Sequence, residues 1–224
     1  MIPLKDENPT RIFPFVTIGL IVVNTAVLIV QLLSHPDLQQ LAFSYGAVPR
    51  YLLTFKSTQP IHPAFTVLTS MFMHGGILHL VTNMLYLWIF GNNIEDKLGH
   101  IRFTLFYLLC GIAAAFTHAI TDPASHTPMI GASGAVSGIL GAYLILFPHA
   151  RIHTLVFLGF FVQIVRLPAV FIIGFWIFIQ FINGIVSKGF AGQGGVAWFA
   201  HIGGFIFGFL LIVPLLKTKR SPYS

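Results

Sequence analysis

Of the 224 residues, 56% are hydrophobic and only 8% carry a charge, with a mean hydropathy of +0.85. A soluble domain carries about 25% charged residues, so this composition excludes a water-soluble globule and makes the bilayer the solvent. The net charge of +6 then reads as topology signal and lipid contact rather than a nucleic-acid footprint, and the single cysteine, Cys110, excludes an intrachain disulfide and a cysteine metal cluster.

A spanning helix needs about 20 mostly apolar residues, and six candidates follow in chain order. The first is Pro14–Leu33. It is too long for a signal-peptide core and no A-x-A cleavage site follows it, so it reads as a retained span. The next five are Val67–Phe90, Ile101–Ile120, Ser133–Phe147, Pro168–Ile185 and Val196–Leu216. Between the fourth and fifth, Leu155–Val165 ("LVFLGFFVQIV") is about half a span and is predicted to lie at the interface or re-enter. The predicted fold class is all-α, a polytopic bundle of six transmembrane helices. Residues 1–13 form an N-terminal segment, 14–217 the six-span domain and 218–224 a tail.

Six spans put both termini on one side. That side holds Lys5, Arg11, Lys97, Arg102, Arg151, Arg166, Lys217, Lys219 and Arg220, against Arg50, Lys56 and Lys188 on the other. The excess places both termini in the cytoplasm. The connections Ser34–Thr66, Thr121–Ala132 and Val186–Gly195 then face outward.

Three places break the apolar rule. Ser133 begins the fourth span, His74, His79 and Asn83 lie in the second, and His201 lies in the sixth. All three fall toward the outer half of the membrane, where polar side chains are costly unless they face other helices or water. His79 and Asn83, four apart, share a helix face, as do His201, Gly204 and Gly208. Ser133, Ser137 and Gly141 form a stripe on span four, with Gly134 and Gly138 beside it. Small residues at this spacing let helices approach closely. If the two glycine stripes meet, Ser133 and His201 come within hydrogen-bond reach as nucleophile and base. Asn83, the His79 ring and the Ser133 backbone N–H are candidate donors to the oxyanion of an attacked carbonyl. No acidic residue lies in a span core, so a Ser–His dyad with His201 held by packing is the economical reading. Span four, at about 15 residues or 22 Å, falls short of the roughly 30 Å hydrocarbon core. Ser133 is therefore expected below the outer surface, met by an inward-dipping loop and a wet cavity.

These residues resemble the rhomboid family of intramembrane serine proteases. "GASG" (Gly131–Gly134) matches its G-x-S-G motif, "AHIGGFIFG" (Ala200–Gly208) its A-H-x-x-G-x-x-x-G motif, and "HGGILHLVTN" (His74–Asn83) its His and Asn pattern. "FGNNIEDKLG" (Phe90–Gly99) resembles the segment that follows, with Glu95 at the acidic position. The resemblance runs from about Phe65 to Gly208, in the family's order, and is to the six-span bacterial type. It implies Ser133 as nucleophile, His201 as general base and acid, and His79 with Asn83 as oxyanion donors. His74, Glu95, Gly131, Gly134, Gly138, Gly204 and Gly208 take structural or water-path roles. It implies no cofactor and no metal. The implied partners are single-pass transmembrane substrates in the lipid bilayer, cut near the outer surface, with no nucleic acid, in the cell (inner) membrane of a bacterium. Two departures stand out. Phe65-Thr66 replaces the family's Trp-Arg pair, and Ser137 replaces an aromatic residue four after the nucleophile, so His201 must be held another way.

Other readings stay open at this point. Ser133 and Ser137 also suit helix packing, and His79 with Asn83 could bridge helices. Glu95 reads better as a tie between span two and the loop after it than as a catalytic group. His74, His79 and His201 are a weak metal set, since residues five apart on a helix splay by about 140°. A non-catalytic relative that binds transmembrane helices is the alternative function. A small transporter is a third, though no repeat is visible.

Overall fold

The computed structural model describes residues 1–34, 37–159, 161–189 and 196–216. Strand β1 (Ile2–Asp6) precedes helix α1 (Phe15–Ser34). Short helices α2 (Leu38–Tyr45), α3 (Pro49–Thr54) and α4 (Pro63–Ser70) follow. Then come α5 (Ile77–Tyr86), a π-helical turn (Leu87–Gly91), α6 (Asn92–Leu98) and α7 (His100–Thr121). Helix α8 (Ser133–Leu146) leads to strands β2 (Arg151–Leu158) and β3 (Phe161–Pro168), and the chain continues with α9 (Ala169–Gly189) and α10 (Trp198–Leu215). Among the described residues four helices, α1, α7, α9 and α10, are long and apolar enough to cross a membrane, and α8 is a shorter apolar helix.

A helix apolar or small on every face has to be surrounded. Helix α8 is such a helix: every residue from Gly134 to Tyr143 is buried. It packs on α10 and α7, and glycine makes the α10 contact possible. A Cβ on Gly204 would fall on the Gly134 carbonyl, one on Gly208 on the Gly138 carbonyl, and one on Gly141 on the Phe205 carbonyl. The two backbones touch directly, as small-residue stripes allow in lipid.

The structure corrects the sequence reading in three places. The expectation of an all-α fold gives way to a mostly helical fold with a three-stranded antiparallel sheet, β1-β2-β3. Leu155–Val165 is not half a span but the heart of the β2–β3 hairpin, with Thr154 opposite Val165 and Leu155 opposite Ile164. Gly159, at φ +61°, supplies the left-handed residue of its turn. The N-terminal segment supplies the third strand, with Ile2 opposite Leu155 and Asp6 opposite Ile152. The second span is also not continuous from Val67. Helix α4 stops at Ser70, and α5 begins after Gly76, which has φ +152°. The broken backbone is satisfied by a side chain: Gln31 of α1 donates to the His74 carbonyl (3.3 Å) and accepts from its N–H (3.1 Å). Lys217, Lys219, Arg220, the 218–224 tail and much of the Val186–Gly195 connection lie outside the described residues.

At the other end of the helices one carboxylate caps α1, which has no acid in its own first turn, and a second holds the segment just before it. Glu95, fully buried, accepts from the N–H groups of Val16 (2.9 Å) and Thr17 (2.8 Å), from the Thr17 hydroxyl (2.7 Å), and pairs with His100 Nδ1 (2.6 Å). Asp96 accepts from the N–H groups of Arg11 and Ile12. Negative charge at a helix N-terminus meets both orphan donors and the dipole. Glu95 therefore ties α6 to α1 and to the start of α7, a longer-range role than joining span two to its loop. Asp6 of β1 accepts from Asn93 Nδ2 (2.7 Å) and the Tyr143 hydroxyl (3.0 Å), joining the sheet to α6 and α8. Burial raises the Asp6 carboxyl above its ordinary 3.8, against the pull of those two bonds.

Two predictions follow from this packing. Gly208→Ala sets a methyl on the Gly138 carbonyl and is expected to destabilise by about 1–3 kcal/mol. Gly174→Ala, whose methyl meets nothing within 4 Å, is expected to be neutral or stabilising by up to about 1 kcal/mol. Thermal unfolding in micelles separates them, and equal midpoints would contradict the glycine contact. A raised folded pKa means that the Asp6 contribution is full below its unfolded pKa and is lost as pH rises through the folded one. The wild-type midpoint is expected to fall relative to Asp6→Asn as pH is taken from about 3 to 7. Parallel curves would remove Asp6 from the pH dependence.

Candidate active site

Three helices begin beside one another, and each places one polar side chain near its start. Ser133 is the first residue of α8, His201 lies in the first turn of α10, and His79 in the first turn of α5. The loop ahead of α8 is pinned: Met129 and Ala47 exchange backbone hydrogen bonds, and the Gly131 N–H donates to the Ser70 carbonyl (2.8 Å). Gly131 has φ +123°, and a Cβ there would press on the His79 ring. Glycine is required at this point, one residue from Ala132 and two from the serine.

The glycine contact between α8 and α10 brings Ser133 Oγ to 2.8 Å from His201 Nε2. Both side chains are partly exposed to a cavity of about 390 Å³ lined by α5, α8, α9 and α10, among them His79, Asn83, Tyr86, Ser133, Trp176 and His201. A hydroxyl on a ring nitrogen, with open volume beside it, can pass its proton to that nitrogen when the oxygen attacks.

His79 faces the same space. Its Nδ1 accepts from the Gly75 N–H (3.3 Å), which leaves the proton on Nε2, the ring atom nearest a Cβ placed on Gly131. Asn83 Nδ2 donates to the His79 carbonyl one turn back (3.1 Å), leaving its second hydrogen unassigned. The N–H groups of Ser133, Gly134 and Ala135 precede the first intrahelical bond of α8, Val136 N–H to the Ala132 carbonyl, and so remain available.

Other sequence candidates fall elsewhere. His74 sits in the break before α5, not on its helix, so the 140° splay does not apply. Its ring is fully buried, meets His79 edge-on at 5.1 Å, and has no hydrogen-bond partner among the described residues at either nitrogen. Among the described residues no group of three or more His, Cys, Asp or Glu side chains is placed to hold a metal ion. Ser137 is buried and donates to the Ser133 carbonyl (2.6 Å). Gly134, Gly138, Gly204 and Gly208 line the α8–α10 contact, and Glu95 lies within α6, away from the cavity.

The sequence reading missed Gln180. This α9 residue is buried, and its Oε1 lies 2.8 Å from His201 Nδ1. The signal was available, since Gln180 is a lone amide in the apolar run "FWIFIQF". His201 is also flanked by Trp176 at 5.9 Å and, edge-on, by Trp198 at 6.1 Å between ring centroids. Packing alone does not hold the imidazole. A hydrogen bond from a third helix and two indoles take the place of the aromatic residue that Ser137 replaces.

Comparison with known proteins now bears on this arrangement. A family model for the rhomboid domain matches residues 62–218. The chain is 31% identical over 172 residues to RHOMBOID-like protein 6, mitochondrial, of Arabidopsis thaliana, covering 77% of this chain and 50% of that protein. It is 34% identical over 124 residues to Rhomboid protein 1, mitochondrial, of Saccharomyces cerevisiae, covering 54% and 35%. It is also 32% identical over 95 residues to Inactive rhomboid protein 1 of Drosophila melanogaster, covering 42% and 6%. The chain thus spans half or less of the length of these relatives, and its likeness extends to one named inactive. With the matched domain taking in α4 through α10, the chain belongs to the rhomboid family and is an integral membrane protein.

Proposed function

We propose that this chain is an intramembrane serine endopeptidase that cleaves single-pass transmembrane proteins. The observation that carries the reading is the 2.8 Å contact between Ser133 Oγ and His201 Nε2 inside a cavity. Six crossings are proposed, by α1, the helical run 77–98, α7, α8, α9 and α10, all within residues 14–217. The Lys and Arg balance supports cytoplasmic termini and an outward-facing Ser133. The bacterial cell membrane stays part of the proposal, although the relatives above are eukaryotic and two are named mitochondrial.

In this mechanism Ser133 Oγ attacks the substrate carbonyl carbon while His201 Nε2 takes the hydroxyl proton. The carbonyl oxygen becomes an oxyanion, stabilised by donors already in place: His79 Nε2–H, the free Asn83 N–H and the N–H of Ser133 at the positive end of the α8 dipole. His201 then gives its proton to the departing amine. Water, deprotonated by the same nitrogen, releases the acyl group from Ser133. Glycine at 131 keeps a side chain out of the space that the oxyanion and the His79 ring share.

A non-catalytic helix-binding role is the rival, and labelling chemistry separates the two. A fluorophosphonate probe is expected to label wild type and Ser137→Ala but not Ser133→Ala, while His201→Ala loses about 10³-fold or more in cleavage rate, as a member of a unit does. Labelling that persists in Ser133→Ala would end the protease reading. Asn83→Ala and His79→Ala are each expected to lower kcat by about 10- to 10³-fold, the range for an oxyanion donor. Unchanged kcat in both would remove them from the oxyanion site and leave them as helix bridges.

A further inference from the structure

We infer that Gln180 is a positioning residue that fixes the tautomer of His201, holding the ring proton on Nδ1 so that Nε2 faces Ser133 as a bare acceptor. The inference rests on the proposal that Ser133 and His201 are the reacting pair, and adds a third helix to it. A neutral imidazole carries one proton on two nitrogens, and only the form bare at Nε2 can accept the serine proton. Something must therefore choose between the forms.

The choice follows from two contacts of one amide. Gln180 Nε2 donates to the Trp176 carbonyl one turn back on α9 (3.2 Å). The flipped amide would set two acceptor oxygens against each other, so the Trp176 carbonyl dictates which end of the amide turns away. The oxygen is thereby delivered to His201, 2.8 Å from Nδ1. An amide oxygen has no hydrogen to give, so Nδ1 must be the donor. With the proton on Nδ1, Nε2 is a lone pair 2.8 Å from Ser133 Oγ, and the hydroxyl donates to it. The chain runs Trp176 carbonyl, Gln180 amide, His201 imidazole, Ser133 hydroxyl, and every link has one permitted direction.

Among the described residues no other side chain is hydrogen-bonded to Nδ1. The ionisable groups whose charge reaches His201 are His79 on α5 and His118 on α7, neither of them a carboxylate. Trp176 and Trp198 present ring faces and edges, which restrain tilt but do not distinguish the two nitrogens. Gln180 is buried, so water does not compete for its oxygen. When His201 takes the serine proton, the same oxygen faces the Nδ1–H of the imidazolium and holds it against the charge that has formed. The arrangement has the logic of a carboxylate behind a catalytic histidine, built with a neutral group.

Nitrogen NMR of the full-length protein in micelles, labelled at histidine and assigned by the loss of signals in His201→Ala, reads the tautomer without any need for activity. Wild type is expected to show His201 protonated at Nδ1 and bare at Nε2. Gln180→Leu, similar in size but without the oxygen, is expected to lose that preference. Its kcat should fall by about 10- to 100-fold, the range for loss of a hydrogen-bonded partner behind a metal-bound histidine, with KM and the unfolding midpoint unchanged. Gln180→Glu is expected to recover most of the kcat, because it keeps the acceptor. Its charge favours the imidazolium, so the acid limb of kcat/KM should move to higher pH. An unchanged tautomer or full kcat in Gln180→Leu would overturn the inference, as would an unmoved acid limb in Gln180→Glu, which serves alone should the leucine variant not fold. If the protease reading itself were wrong, Ser133 would go unlabelled while the Nδ1–H signal persisted, so the two failures are distinct.

Discussion

The close approach of α8 and α10 sets everything else. Lipid supplies no hydrophobic drive to press two apolar helices together, so their contact depends on fit. Glycine supplies it here by letting backbone meet backbone: Gly204 and Gly208 of α10 lie on the carbonyls of Gly134 and Gly138 of α8. Ser133 and His201 sit at the adjoining starts of the two helices, so their 2.8 Å contact is a consequence of that backbone distance. Larger side chains along the seam would separate the helices by more than a hydrogen bond tolerates. The site is therefore built on regular helices, with irregular backbone beside it in the pinned loop that ends at Gly131.

The second constraint is that polar backbone cannot go unpaired away from water. The chain meets it with side chains from helix α1 and helix α6. Gln31 takes both hydrogen bonds of His74 where the chain breaks before α5. Glu95 takes two N–H groups in the first turn of α1, and Asp96 two in the segment just before it. One break lets α5 begin level with α8, which brings His79 over Gly131. The other group locks α1 to the core at the opposite end. Asp6 adds the sheet to that end through Tyr143, a residue of the same helix that carries Ser133. The N-terminal end of α8 is thus left for the cavity while its C-terminal end is fastened from several directions.

Much of this was legible in the residues. Apolar runs located α1, α7, α8, α9 and α10 to within a few positions, and glycine spacing pointed to the α8–α10 seam. What escaped was whatever depends on partners far apart in the chain. The hairpin was hidden because "TLVFLGFFVQIV" is apolar on both faces, so the period of two that marks a strand is absent. The helix break at Gly75-Gly76 was read through, since two glycines weaken a helix without forbidding it. The partner of Glu95 is 78 residues away, at Thr17, and no spacing rule reaches that distance. Gln180 was passed over for a different reason. An acid beside a histidine stands out in an apolar run by its charge, and an amide does not.

An amide is nevertheless the group that the medium favours. An ionised carboxylate at the middle of a membrane helix costs about 2.5–3.5 kcal/mol on insertion scales, and more where it is deeply buried. Beside a histidine it would also stabilise the imidazolium before any substrate arrived, and a protonated imidazole cannot serve as a base. In water-soluble hydrolases that charge is offset by hydrogen bonds and partial solvation. Here His201 is flanked by two indoles at the edge of the cavity it shares with Ser133 and His79. In the proposed mechanism a glutamine oxygen would give direction to the Nδ1–H without bringing a charge, leaving the ring neutral until the serine proton came. The dipole it presents is weaker than an ion, but in a low-dielectric site a fixed dipole retains much of its strength. The absence of an acid behind this histidine is in that sense an adaptation to the solvent, and the place where the acid would stand is filled rather than vacant.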